Sequence, residues 1–403
     1  MLACTLMSSA ALLAVAFLSA RELGPAGRGT LVLLVALSSF TMLLCSGGVN
    51  TAARVYLVSP TEPLALGDYL GFAVALGSLE AVVAGAMGPL VLPAANVRVD
   101  EWTVLLLAVC GAGLLLSLLL GDALYAYGFN TRAAALAALG STAQLLLVTA
   151  LGVSDTRAAE AYFAAVALGG VLQAVLTYIV LRRSVPSGPV RFSLPEFRRV
   201  IRRGAPAVGL SLGQAATFRL DRYLIGVLLG PGPVGIYSVA ATATEILWLG
   251  PISLAQVQFH GIASGRAGAA ELARARRLWL GGTAVVALGM WLAAPHAVDL
   301  LLGERFRAAV TPLRVLLLGA LAISSYHLDV ISLAARGRTG AAGATALVGL
   351  ALVTAADLVL IPSRGITGAA WASVVAYLGM AVLARLLLRS GLRRESGRST
   401  APR

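Results

Sequence analysis

The chain alternates between long apolar runs and short polar breaks. A helix that crosses a membrane needs ~20 mostly apolar residues. Twelve runs meet that requirement: 3–20, 29–53, 68–92, 102–121, 132–152, 160–181, 205–229, 234–258, 278–302, 309–334, 341–361 and 366–388. Helices are expected in all of them, because backbone polar groups find no water to bond in the bilayer core. Several runs are rich in Gly and Ala, which let helices approach closely in lipid. The predicted class is an all-α polytopic membrane protein. The first run, Leu6 to Ala20, has no basic lead, and Leu18 occupies the −3 position of a possible cut after Ala20. It reads as a spanning anchor rather than a cleaved signal. It begins almost at Met1, so a start upstream of Met1 stays open.

One short pattern occurs twice. `LGPAGRG` at 23–29 and `LGPGPVG` at 229–235 both read L-G-P-x-x-x-G, 206 residues apart in a chain of 403. Gly-Pro ends one helix and starts the next, since proline cannot continue the hydrogen-bond ladder and glycine tolerates the turn. Six spans separate the two turns. Six is even, so both turns fall on the same face, and the halves are expected to be parallel six-helix repeats related by an axis along the membrane normal. The expected organisation is a six-helix lobe over 1–181, a basic linker over 182–204, a second six-helix lobe over 205–388 and a basic tail over 389–403.

Composition supports the membrane reading: 59% of residues are hydrophobic and 12% charged, with mean hydropathy +0.87. No ordinary soluble domain hides that much apolar surface. All 31 basic residues are Arg, and the net charge is +13. Its distribution is a topology signal rather than a nucleic-acid surface. With the N-terminus inside, 21 Arg fall in inner segments and 7 in outer loops. That asymmetry places both termini in the cytoplasm. Arg clusters in the linker `RRSVPSGPVRFSLPEFRRVIRRG` follow the same rule, and could also meet anionic lipid heads. The cysteines (Cys4, Cys45, Cys110) and histidines (His260, His296, His327) are scattered, with no spacing for a zinc site or a disulfide framework. No metal or cofactor is expected.

Four stretches then carry a resemblance: `ARELGPAGRGTLVLLVALSSF` at 20–40, `FRLDRYLIGVLLGPGPVGIYSVA` at 218–240, `RGITGAAWASVVAYL` at 364–378 and, more weakly, `AYFAAVALGG` at 161–170. In this order, with twelve spans, the chain resembles the Wzx-type flippases of lipid-linked oligosaccharides in the MOP (multidrug/oligosaccharidyl-lipid/polysaccharide) superfamily. The resemblance implies two six-helix lobes around a central cavity that opens alternately to each side of the cytoplasmic membrane. It implies a cargo of isoprenoid pyrophosphate carrying an oligosaccharide, with membrane lipids and other polysaccharide-assembly proteins as further partners. A short N-terminus is a departure from that family, and some of its members have more than twelve spans.

Charges inside spans are the site candidates, because each costs ~2.5–3.5 kcal/mol at a helix centre. `FRLDRY` at 218–223 carries Arg219, Asp221 and Arg222. Subtracting the repeat offset maps them onto Leu13, Val15 and Ala16, so the hairpin fold itself needs no charge there. Arg219 lies 13 residues before the turn at 232 and Glu245 lies 13 after it, ~20 Å deep on adjacent helices. An Arg219–Glu245 pair is expected, either fixing packing or lining the cavity. Arg222 is expected to face the cavity and meet a cargo phosphate. Glu80, near the middle of the third span, shows no sequence partner. Arg54 is expected near the cytoplasmic end of the second span, where snorkelling competes with the cavity role implied by the resemblance. His327 and Asp329 are weaker candidates, and Asp122 and Asp357 read as helix-end residues. Arg would offset a cargo pyrophosphate by charge-assisted hydrogen bonds, and the acids would neutralise resting Arg or carry coupling protons.

Two other functions fit parts of this pattern. A cation-coupled multidrug exporter would share the fold, with an acid-lined cargo site. A membrane glycosyltransferase or ligase would need acids or His at a membrane face and room for an acceptor. Here the outer loops are about ten residues or fewer, and no D-x-D, nucleophile triad or Gly-rich nucleotide loop occurs.

Overall fold

The computed structural model describes the backbone of residues 1–186, 188–263 and 269–399, and the side chains of these except residues 2, 205–210, 249–263, 269–271 and 391–399. Of the expected basic tail 389–403, the backbone is described to residue 399 and the side chains to residue 390. Among the described residues eleven α-helices run in order: α1 (Leu2–Cys45), α2 (Val49–Tyr56), α3 (Leu66–Val91), α4 (Glu101–Ala126), α5 (Asn130–Val153), α6 (Ala159–Ser184), α7 (Leu194–Leu229), α8 (Pro231–Ala263), α9 (Ala269–Leu302), α10 (Val310–Ala335) and α11 (Thr339–Ser399). Short 3-10 helices cover Leu92–Ala95 and Glu304–Ala309. No strand occurs among the described residues.

Eight helical stretches among the described residues are long and apolar enough to cross a membrane. Two of them hold two expected spans each. Ala3–Cys45 is broken at Gly24 (φ 66°), and Thr339–Ser390 at Gly365 (φ 58°). Eight stretches thus contain ten of the twelve expected spans. The other two, 205–229 and 234–258, lie on α7 and α8, where some side chains fall outside the description. Apolar side chains stand far out of the packing: Leu90, Val285 and Leu300 are 74%, 72% and 82% exposed. Water would not tolerate such a surface, whereas hydrocarbon does.

One expected span needs correction. The run 29–53 does not stay helical to residue 53. α1 stops at Cys45, and Gly47 and Gly48 take φ of 55° and 71° before α2 starts at Val49. Two successive left-handed residues end the hydrogen-bond ladder, and apolarity alone does not reveal them. Arg54 therefore rides on a separate two-turn helix. Arg28, in the first L-G-P-x-x-x-G stretch, is buried on α1, and its Nη1 donates to Ser19 Oγ at 2.9 Å.

The helices group into two compact units. The first comprises Met1–Leu212 and Leu229–Gly235; the second comprises Gly213–Leu228 and Ile236–Arg403. The division falls inside α7, and α6 and α7 carry helix into both ends of the basic segment 182–204. In the first unit α4 packs against α3 and α6, while α1 packs against α5. Hydroxyls bridge these layers: Tyr69 donates to the Leu119 carbonyl at 2.7 Å and Ser117 to the Gly170 carbonyl at 2.9 Å. In the second unit α10 is flanked by α9 and α11.

The two L-G-P-x-x-x-G turns meet, and they do so within the first unit. Gly24 and Gly230 both have positive φ (66° and 85°), and the proline after each begins a helix. The closing glycines, Gly29 and Gly235, then cross reciprocally. A Cβ on Gly29 would run into the Pro231 carbonyl, and one on Gly235 into the Pro25 carbonyl. The backbones touch with no side chain between them, the closest approach two membrane helices can make.

Candidate functional site

The densest polar cluster in the second unit is built on three helices. α7 supplies Phe218, Asp221 and Arg222; α8 supplies Tyr237, Glu245 and Trp248; α11 supplies Asp357, Ser373 and Tyr377. The α7 and α8 residues face each other because Gly230 folds the chain back on itself.

Arg222 Nη2 lies 2.5 Å from Glu245 Oε1, with the side chains 5% and 30% exposed. This corrects the expected Arg219–Glu245 pair. Counting residues from the turn sets depth only to within the reach of an arginine side chain. The direction around the helix decides the partner, and three residues along a helix change it by about 60°. Arg222 is the residue turned inward. Its Nε is buried without a hydrogen-bond partner among the described residues. Arg219 is half-buried and makes no hydrogen bond or ion pair among the described residues. Its nearest charged neighbours are Arg222, Glu245 and Asp221.

Asp221 is buried and fully engaged. Its Oδ1 accepts the Arg222 backbone N–H at 2.7 Å, and its Oδ2 accepts the Tyr237 hydroxyl at 2.5 Å. Tyr237 also sits 3.3 Å from the Ser373 hydroxyl. Asp357 is completely buried, and both its carboxylate oxygens lack partners among the described residues. It is therefore not the helix-end residue its position suggests. Beside Asp221 and Glu245 lies a cavity of about 10 Å³, walled by Phe218, Trp248 and Tyr377. That space suits about one water molecule and no pyrophosphate. Phe218, Trp248, Tyr377 and His327 form an aromatic cluster with ring centroids 5.0 to 6.1 Å apart. The arrangement buries the Arg222 side of the charge pair and leaves room beside it for about one water molecule.

Two further candidates, Glu80 and Arg54, belong to the first unit. Glu80 on α3 is buried, accepts the Thr41 hydroxyl at 2.6 Å, and leaves Oε2 unpartnered among the described residues. Arg54 on α2 pairs with Asp122 on α4 at 2.5 Å and lies 5.5 Å from the Tyr125 ring centroid. Arg54 is 53% exposed, so solvent screens the pair, which contributes about 0–1 kcal/mol.

Sequence reasoning missed a second knot in the second unit. Asp329 on α10 accepts from Arg276 Nη1 at 2.5 Å and from Arg385 Nη1 at 3.2 Å, tying α9, α10 and α11 together. Arg276 also contacts Ser325. Arg276 lies just before the apolar run 278–302 and Arg385 near the end of the run 366–388, and nothing along either run points to Asp329.

No curated protein matches the sequence. In structure, the chain is similar to the lipid II flippase MurJ in an inward closed conformation, with TM-score 0.78 at 13% identity, over 96% of this chain and 86% of that one. It is similar to an inward-facing multidrug resistance MATE family transporter of the MOP superfamily, with TM-score 0.73 at 15% identity, over 98% and 96%. A MOP superfamily transporter from Pyrococcus furiosus, described by a binding pocket of reversed polarity, aligns with TM-score 0.58 at 15% identity, over 97% and 95%. At these identities the likeness is one of fold, and the fold is that of MOP transporters. Residues 1–259 match the family described as Polysaccharide biosynthesis protein, and with well over half the chain inside that match the protein belongs to that family.

Proposed function

We propose that this protein moves a lipid-linked oligosaccharide or polysaccharide precursor across the cytoplasmic membrane by alternating access, with both termini in the cytoplasm. The family match over residues 1–259 carries the reading, and the fold shared with MurJ and MATE transporters supports it. Arg219 supplies the chemistry. It is a half-buried guanidinium in an apolar helix with no hydrogen-bond or ion-pair partner among the described residues, and so is free to bond a cargo phosphate. Arg222 is committed to Glu245 and serves the packing of α7 on α8. Asp221 and Glu245 set the charge around both arginines, while Arg54 and Glu80 act in the first unit.

Glycan export in cells lacking their resident flippase, normalised to protein in the membrane, tests the reading. Arg219→Ala is expected to cut export roughly 10-fold or more at unchanged abundance, the worth of a charge-assisted hydrogen bond. Full export by Arg219→Ala would refute the phosphate role. No export by the wild-type chain at good abundance would refute the cargo.

A second reading, a cation-coupled multidrug exporter, is favoured by one observation. Asp357 and Glu80 hold buried carboxylate oxygens without partners among the described residues, as a coupling or cationic cargo site requires. Resistance to cationic drugs in place of glycan export would establish it. Orientation has its own check: a phosphatase fused after Arg403 should be inactive and one inserted at Gly232 active. The reverse pattern would overturn the topology.

A further inference from the structure

The start of α7 is amphipathic in a way that the transport reading does not use. Phe197 and Val200 pack into the core of the first unit with Tyr69, Phe72 and Tyr56. Phe72, Phe192 and Phe197 form a ring trio with centroids 5.2 to 5.5 Å apart. Ile201 and Gly204 close on the break between α1 and α2: a Cβ at Gly47 would meet Ile201, and one at Gly204 would meet the Gly48 carbonyl. This face is anchored backbone to backbone.

The opposite face carries Arg198, Arg199, Arg202 and Arg203, two i, i+4 pairs one residue apart. With Tyr56 they line an open depression of about 450 Å³. The Tyr56 ring is a platform for two of them: the Arg199 and Arg203 guanidinium carbons lie 4.9 and 5.4 Å from its centroid. Stacking fixes where those two guanidinium groups sit. Arg199 Nε and Nη2 are buried, Nη2 against Glu196, whereas Arg198, Arg202 and Arg203 are exposed and present their edges for donation. One carboxylate offsets the group, Glu196, 2.5 Å from Arg199. Four Arg against one Glu leave a formal +3 in one depression, a repulsion that an anion would relieve.

Its position suggests the anion. The depression lies beside α2, just past the end of the second span, and ahead of the apolar stretch of α7. Phe192 and Leu194, where the chain enters α7, are 50% and 48% exposed, as apolar side chains are at a membrane boundary. We propose that Tyr56, Arg198, Arg199, Arg202 and Arg203 bind the phosphate of an anionic phospholipid headgroup in the surrounding membrane. Planar guanidinium forks grip phosphate oxygens two at a time, and the stacked pair is held in place before the lipid arrives. The site would fix the α1–α2 break and the start of α7 against the membrane surface, whichever cargo the protein moves.

The full chain, purified in detergent, tests this by titration with phosphatidylglycerol, phosphatidylcholine or inorganic phosphate, with bound lipid read by native mass spectrometry. The wild type should retain phosphatidylglycerol over phosphatidylcholine. Millimolar inorganic phosphate should not displace it; complete displacement would make this a free-phosphate site and overturn the lipid assignment. R198Q/R199Q/R202Q/R203Q should weaken phosphatidylglycerol binding ~10-fold or more, several charge-assisted contacts being lost. The Lys version of all four keeps the charge and should still weaken binding several-fold, because the forks are gone. R389Q/R393Q/R394Q/R398Q removes equal charge from the tail and should leave binding within about 2-fold. Equal losses from the depression and tail variants would reduce the effect to bulk charge and overturn the site. R202Q/R203Q alters only exposed side chains, so a folded protein remains available, and unchanged binding in it would also overturn the proposal.

Discussion

Gly29→Ala will remove most of the protein from the membrane. A methyl group there meets the Pro231 carbonyl, a backbone atom that no rotamer change can move. The second half of α1 and the start of α8 must then separate. Overpacking a tight contact costs about 1–3 kcal/mol, and more when backbone is the obstacle. Against the roughly 5–15 kcal/mol that holds a typical domain folded, the loss shows as reduced accumulation and a lower unfolding midpoint. Gly235→Ala should behave alike, since its methyl meets the Pro25 carbonyl. The double variant should cost less than the sum, because the first methyl already opens the crossing that the second would strike. Gly232→Ala, in the same turn with nothing within 4 Å of its Cβ, is the control and should be neutral. Fluorescence of a fusion in membranes and thermal unfolding in detergent measure all four. Wild-type stability in Gly29→Ala would show that the crossing is looser than described.

Glu245→Ala should be the costliest change in the second unit. It strands the Arg222 guanidinium, 5% exposed and with Nε already unpartnered among the described residues. Breaking a buried ion pair by deleting one partner costs about 3–5 kcal/mol, whereas replacing both with apolar residues is often close to neutral. Arg222→Met with Glu245→Leu is therefore expected to recover most of the stability that Glu245→Ala loses. In a double-mutant cycle Arg222 and Glu245 should couple by about 2 kcal/mol or more, and Arg219 and Glu245 weakly. Additive losses for Arg222 and Glu245 would dissolve the pair. Transport should follow abundance in these variants, in contrast with Arg219→Ala.

Much of the fold was legible before any coordinates. Apolar runs of spanning length report helices because the bilayer leaves the backbone no alternative, and Gly-Pro marks where the chain must turn. The break at Gly47–Gly48 was not legible, because two glycines inside an apolar run cost hydropathy nothing. The candidate site was legible by residue and less so by partner. Asp221, Arg222 and Glu245 do converge, but the pairing depends on the direction of a side chain around its helix, which residue counting does not carry. Thr41 beneath Glu80, and Arg276 and Arg385 beside Asp329, were invisible for the same reason: each contact joins helices far apart in sequence. Asp357 read as a helix end because its burial comes from helices packed around it, not from its neighbours along the chain.

The reciprocal crossing of the two turns also bears on how this sequence can drift. Positions 206 residues apart are ordinarily free to differ, and those offset from Arg219, Asp221 and Arg222 do: they hold Leu13, Val15 and Ala16. Gly29 and Gly235 are differently placed, because each is the wall against which the other's helix rests. A side chain gained at either one is felt by both, so selection meets them as a single site with two addresses. The similarity of `LGPAGRG` and `LGPGPVG` across 206 residues is then kept by contact.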